Sequence, residues 1–314
     1  MSIAFTFPGQ GSQAIGMGKV LADTYAEART VFEEVDEALG QKLSEIMWNG
    51  PESDLTLTAN AQPALMAVSL ATMRVLEARG LDLEATVSFV AGHSLGEYSA
   101  LAAAGSLDIA TAARLLRVRG DAMQSAVPVG QGAMAALLGL DFETAQSVAQ
   151  EAAQGEVCQA ANDNAPGQVV VSGHVGAVER AIDIAKAKGA RRALLLPVSA
   201  PFHCALMAPA ADAMAEAFAN ASLRAPRVPL VANVLARPIT DPAEIRSRLV
   251  EQVTGTVRWR ESVTWLAAEG VDTFVELGTG KVLTGMVKRI AKETVGIPVN
   301  SPDDIDALIE KLSV

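Results

Sequence analysis

Cysteine is nearly absent. Cys158 and Cys204 are the only two; they can close at most one bridge and show no C-x-x-C spacing. That excludes a disulfide scaffold, argues against a metal site, and fits reduced thiols in the cytosol. Positive charge is short as well. The formal net charge is −11, so no broad basic face exists to neutralise phosphates, which argues against nucleic-acid or anionic-membrane binding. No run approaches the roughly eighteen apolar residues of a membrane span, and "MSIAFTFPGQGSQ" lacks a charged leader followed by a long apolar core. A cytoplasmic protein is expected. Aromatics are only 4% and charged residues 19%, whereas half the chain is hydrophobic and 25 residues are glycine. This balance is that of an α/β enzyme with Ala-rich helices. At 314 residues it exceeds one small core and suggests a large domain carrying a smaller one.

The order of elements agrees. "IAFTFPGQG" reads as a strand entering a Gly-rich turn, and "VLADTYAEARTVFEEVDEAL" and "AQPALMAVSLATMRVLEARG" have helical spacing. "TVSFVAG" is a β-branched and aromatic strand that runs into "GHSLGEYSALAAAG". From 133 to 198 the rhythm changes to strand, helix, two strands joined at "APG", helix and strand. That βαββαβ order is complete in itself, and predicts a ferredoxin-like subdomain inserted into a body formed by 1–132 and 199–314. The body is expected to be α/β-hydrolase-like, with a mainly parallel sheet.

Gly92-His93-Ser94-Leu95-Gly96 fits G-x-S-x-G, in which a serine occupies a strained turn between strand and helix and flanking glycines leave room for it. A bland reading competes with it, in which Ser94 merely caps a helix. A serine hydroxyl needs a base, and there are three histidines. His93 adjoins Ser94 across a tight turn and suits packing. His174 starts a helix in the inserted unit and suits the surface. His203, in "PVSAPFHCALMAP", lies where a helix N-terminus would favour the neutral base, although a core histidine satisfied by backbone groups is its bland alternative. Ser before His matches α/β-hydrolase order. No third member stands out: Asp121, Asp163 and Glu276 are all available, and a neutral group is a further option.

Oxyanion donors are available in Leu95, after the serine, and in "FPGQGSQ", where Gln10 is central. The same glycines match the dinucleotide fingerprint G-x-G-x-x-G/A, but the strand ending in an acidic residue that should follow is replaced by a helix. In "TAARLLRVRGDAM" only Arg119 borders the apolar stripe, with Arg114 and Arg117 further round. Its partner is either a structural carboxylate or a substrate carboxylate.

With "FPGQGSQ", "GHSLGEYSAL", "RGDAMQ", "NDNAPGQV", "PVSAPFHCALM" and "GKVLTG" in order from about Phe5 to Ile290, the chain resembles the bacterial malonyl-CoA:acyl carrier protein transacylases of fatty acid synthesis. The resemblance implies ping-pong transfer of malonyl from malonyl-CoA to the phosphopantetheine thiol of acyl carrier protein, by a monomer with no resident cofactor or metal. Coenzyme A is the product that leaves. It carries the nucleophile to Ser94, the base to His203, the oxyanion donors to Gln10 and Leu95, and the carboxylate-binding arginine to Arg119. It also implies that a backbone carbonyl of Gln252 orients the histidine, which would explain the missing acid, and that Phe202 sets acyl specificity. Thr279 departs from the pattern, where proline is commoner. Carrier proteins are acidic, so docking is expected on Lys186, Lys188, Arg191 and Arg192, or on Lys281, Lys288 and Arg289; ordinary solvated charges are the plain alternative. The rivals are a serine thioesterase or esterase, a malonyltransferase serving polyketide assembly, and a non-catalytic scaffold that binds carrier protein.

Overall fold

The computed structural model describes residues 2–312. Among them ten strands form two sheets. The larger has the order β10 (Val295–Val299), β9 (Thr273–Leu277), β1 (Ile3–Phe7), β2 (Phe89–Gly92), β7 (Leu230–Ala232), β8 (Arg237–Ile239). All its pairings are parallel except β7 with β8. Helices cover both faces, so its central strands are buried on both sides rather than alternating between core and solvent. In β1, Ile3, Phe5 and Phe7 enter the main core while Ala4 points into a second core around Trp259. Each such large side chain contributes roughly 1.5–3 kcal/mol by leaving water.

The smaller sheet is antiparallel, with order β4 (Cys158–Ala165), β5 (Gln168–His174), β3 (Gly132–Leu138), β6 (Arg192–Leu195). Helices Phe142–Ala153 and Val175–Ala187 cover one face. This is the ferredoxin-like unit expected from the βαββαβ order. Its strands alternate with period two: Ala135, Leu137, Val169 and Val171 pack under the unit's own helices, whereas Met134 and Val170 face the body. Residues 161–163 pair with Val257 of the body through Val257 N–H to Ala161 O (2.9 Å) and Asp163 N–H to Val257 O (2.9 Å). The Arg260 guanidinium clasps the buried Asp163 carboxylate beside this seam, Nε at 3.0 Å from both oxygens.

Two helices differ from the reading of periodicity. The stretch expected as one helix from Val20 is two, Lys19–Thr24 and Ala26–Leu39, because Tyr25 turns extended (φ −122°) and the Arg29 guanidinium takes the Ala22 carbonyl. "ALMAPAADAM" begins with a 3-10 turn, Ala205–Met207, before helix Ala208–Ala219.

Candidate active site

Because β1, β2 and β7 run in parallel, the chain leaves all three at one edge of the sheet, where α/β folds place ligands. Gly9 and Gln10 follow β1, Ser94 follows β2, and Asn233 follows β7. The two elbow glycines are obligatory. A Cβ on Gly92 would lie 1.9 Å from the Gly96 carbonyl carbon, and one on Gly96 would lie 2.2 Å from the Phe7 carbonyl oxygen. Between them Ser94 is held at φ 54°, a left-handed conformation that costs a non-glycine residue on the order of 1–3 kcal/mol. Asn233 holds it there. Its Oδ1 accepts the Ser94 N–H (2.8 Å) and its Nδ2 donates to the Gly92 carbonyl (2.7 Å).

His203, 4% exposed and also at positive φ (57°), reaches the serine from the far side of the sequence. Its Nε2 is 2.8 Å from Ser94 Oγ, and its Nδ1 is 2.9 Å from the Gln252 carbonyl. A carbonyl oxygen only accepts, so the proton resides on Nδ1 and the Nε2 lone pair faces the hydroxyl. Burial, then the nearby Arg119 guanidinium, pushes the imidazole down to about 3. Those causes replace the helix N-terminus expected from sequence.

The three carboxylates considered as a third member do other work or stand apart. Asp163 is bound to Arg260. Glu276 receives the N–H groups of Leu283 (3.0 Å) and Thr284 (2.8 Å) at the start of helix Val282–Ile290. Asp121 is exposed. Of the other histidines, His93 Nε2 is 2.8 Å from Asn164 Oδ1 on β4, and His174, half-buried rather than on the surface, accepts the Val157 N–H at Nδ1.

Arg119, 1% exposed, lies on helix Ile109–Ser125. The next residue explains how it gets there: a Cβ on Gly120 would lie 2.5 Å from Ala59 Cα, so glycine lets this helix press against the start of helix Thr58–Ala78. Gln62, one turn along, then meets the guanidinium. Nη1 donates to Gln62 Oε1 (2.7 Å), and Nη2 donates to Gln252 Oε1 (2.8 Å) and Ser94 Oγ (3.0 Å). These partners are all neutral. The guanidinium also lies 5.7 Å from the Tyr98 ring centroid.

Gln10, Ser94, Leu95, Arg119, Phe202 and His203 all border one cavity of about 620 Å³, and Gln252 lies buried behind it. The backbone N–H groups of Gln10 and Leu95 make no hydrogen bond within the described chain, and Leu95 immediately precedes helix Gly96–Ala103. Asn233, Gln62, Glu97 and the His93–Asn164 pair escaped the sequence reading. A polar residue ending an apolar strand, as in "VPLVANV", was the available signal for Asn233; Gln62 and Glu97 had none beyond standing in otherwise apolar helices. Among the described residues no group of three or more His, Cys, Asp or Glu could hold a metal, and no helix is long and apolar enough to cross a membrane.

A serine at a strand-to-helix elbow, a neutral imidazole on its hydroxyl and paired N–H donors beside it define the class: enzymes that pass acyl groups through an acyl-serine. The family described as the acyl transferase domain matches residues 4–303, and the chain belongs to it and, within it, to the malonyl CoA-acyl carrier protein transacylases. The transacylase of that name from Bacillus subtilis (strain 168) is 46% identical over 311 residues, covering 99% of this chain and 97% of the relative. A crystal structure of the acyl-carrier-protein-S-malonyltransferase from Bartonella henselae is 57% identical, with TM-score 0.98 and full coverage of both chains. A type II polyketide synthase acyl-carrier protein complexed with its malonyl-transacylase supplies a chain at 43% identity and TM-score 0.96, covering 99% of this chain and 100% of that one.

Proposed function

We propose that the protein transfers malonyl from malonyl-CoA to the thiol of acyl carrier protein for fatty acid synthesis, through a malonyl-Ser94 intermediate and without a resident cofactor. The observation that carries this reading is a buried guanidinium with only neutral hydrogen-bond partners, 3.0 Å from the serine hydroxyl. A carboxylate at the far end of a short acyl chain supplies the anionic hydrogen-bond partner that the guanidinium otherwise lacks. His203 Nε2 takes the Ser94 proton as Oγ attacks the thioester carbonyl, and the N–H groups of Gln10 and Leu95 hold the oxyanion. Collapse expels coenzyme A, which leaves with the proton from His203. The carrier thiol then gives its proton to His203, attacks the acyl-serine, and returns the serine hydroxyl. Phe202 walls the acyl end of the cavity and restricts its width. Every group named belongs to one chain, which supports action as a monomer, and we read 133–198 as the inserted unit that closes the cavity over the body. The direct test is intact mass after mixing with malonyl-CoA alone, where one malonyl group is expected on the protein. Free malonate without an adduct would instead identify a hydrolase.

The depressed His203 pKa has a kinetic signature. The working form of the base is neutral, and lowering its pKa extends that form towards acid. Acylation, followed as coenzyme A release in a first turnover, is therefore expected to stay level from about pH 7.5 to about pH 5. A fall centred near the ordinary imidazole value would refute the role of burial.

For docking, the cluster around helix Val282–Ile290 is the better placed. Val282, Leu283 and Met286 line the cavity, and Lys281 and Lys288 are exposed. In the other cluster Lys188 is already paired with Glu151 (2.6 Å) and Lys186 with Asp183 (3.6 Å). Reversing Lys281 and Lys288 to Glu is expected to raise KM for carrier protein about tenfold and leave exchange of malonyl between coenzyme A molecules unchanged. An unchanged KM would return these charges to the status of a solvated face.

A further inference from the structure

Glu97 is 1% exposed, lies three residues beyond Ser94 and does not border the cavity. Both carboxyl oxygens are occupied. Oε2 accepts a hydrogen bond from Gln252 Nε2, and Oε1 accepts the backbone N–H of Asn233 (3.3 Å). Burial pushes the carboxyl up to about 8, against the opposing pull of these N–H donors and the nearby Arg119; with an N–H donor on each oxygen, the geometry serves the ionised form. The two residues it grips are those that hold the reacting groups. The Gln252 side chain directs Oε1 to Arg119 and donates Nε2 to the Ser94 carbonyl (3.0 Å), while its own carbonyl orients His203. Asn233 clamps the elbow through the Ser94 N–H and the Gly92 carbonyl.

We propose that Glu97 is a positioning residue: by accepting from Gln252 and Asn233 together, it fixes which end of the Gln252 amide faces Arg119 and so where the guanidinium presents itself to the acyl carboxylate. The proposal rests on the malonyl-transfer reading. Its logic is hydrogen-bond polarity. A carboxylate offers two acceptors to two N–H donors, whereas an amide at 97 offers one acceptor and one NH2. With Gln there, either the Asn233 N–H faces an NH2 group, or Gln252 must rotate its amide and turn Nε2 towards Arg119. Both arrangements leave a buried donor opposed to a donor.

The experiment compares kcat/KM for malonyl-CoA and acetyl-CoA in wild type, Glu97→Gln, Arg119→Ala and the double variant, transferring to the same carrier protein. Malonyl transfer by the wild type is the test of the underlying reading and is scored separately. In Glu97→Gln the malonyl value is expected to fall about ten- to a hundredfold, the effect of one buried polar group left without its partner. The acetyl value should fall several-fold less, so the malonyl-to-acetyl ratio drops. In the Arg119→Ala background the second substitution should leave that ratio where it was. Equal losses for the two acyl groups, as a merely structural residue would give, overturn the proposal, and so does an unchanged ratio. Should the Gln variant not fold, Glu97→Asp keeps both acceptors on a shorter arm; the ratio is expected to fall in the same direction, and constancy there also overturns the proposal.

Discussion

Ser94→Ala is expected to reduce malonyl transfer by a factor on the order of 10⁴ to 10⁶ and to leave the protein without a malonyl adduct. The expectation follows from how little else in the cavity can replace the hydroxyl. His203 Nε2 and Arg119 Nη2 both converge on Oγ, at 2.8 and 3.0 Å; with the oxygen gone they face each other across a gap with nothing to activate. Covalent capture, unlike orientation, has no partial substitute. Because the backbone at 94 stays clamped by Asn233, the variant should fold and still bind carrier protein, so the loss is chemical. Retained transfer would make Ser94 the helix cap of the bland reading and move the nucleophile elsewhere.

Arg119→Ala should separate substrates rather than abolish chemistry. Loss of a charge-assisted hydrogen bond in a buried site is worth about 1.5–3 kcal/mol, so kcat/KM for malonyl-CoA is expected to fall about a hundredfold. Acetyl-CoA offers no carboxylate and gains nothing from the guanidinium. Its transfer should persist or rise, since removing the cation opens space at the floor of the cavity and leaves Gln62 and Gln252 as neutral lining. The measurement is the ratio of the two rates in one preparation. Equal losses would move the carboxylate anchor elsewhere and would leave Arg119 as a structural tie between helix Thr58–Ala78 and Gln252.

The elbow, the ferredoxin-like unit and His203 were legible because their signals are local. Glycines at 92 and 96 encode a steric constraint within five residues, and βαββαβ order needs only periodicity. The break at Tyr25 was not legible, because apolar spacing continues across it and the cause, Arg29 reaching back to Ala22, is a side-chain choice. The supporting groups were invisible for a different reason. Asn233 lies 139 residues from Ser94 in sequence, Gln62 lies 57 from Arg119, and Glu97 lies 155 from Gln252. Such distances are closed only by the crossing of strands and helices. Gln252 was reached through the pattern of a known family, because what meets the imidazole there is its backbone carbonyl, and any residue has one.

That last feature bears on how the gene tolerates change. In a serine triad completed by an acid, a single codon can delete the third member. Here the acceptor facing His203 Nδ1 is a main-chain oxygen in helix Pro242–Thr254, and every codon that encodes an amino acid at 252 restores it. Point mutation can shift that oxygen, or strip the side chain that steadies Arg119, but it cannot remove the acceptor. Change arising by drift at this position would therefore take the form of altered acyl preference before it took the form of a dead enzyme.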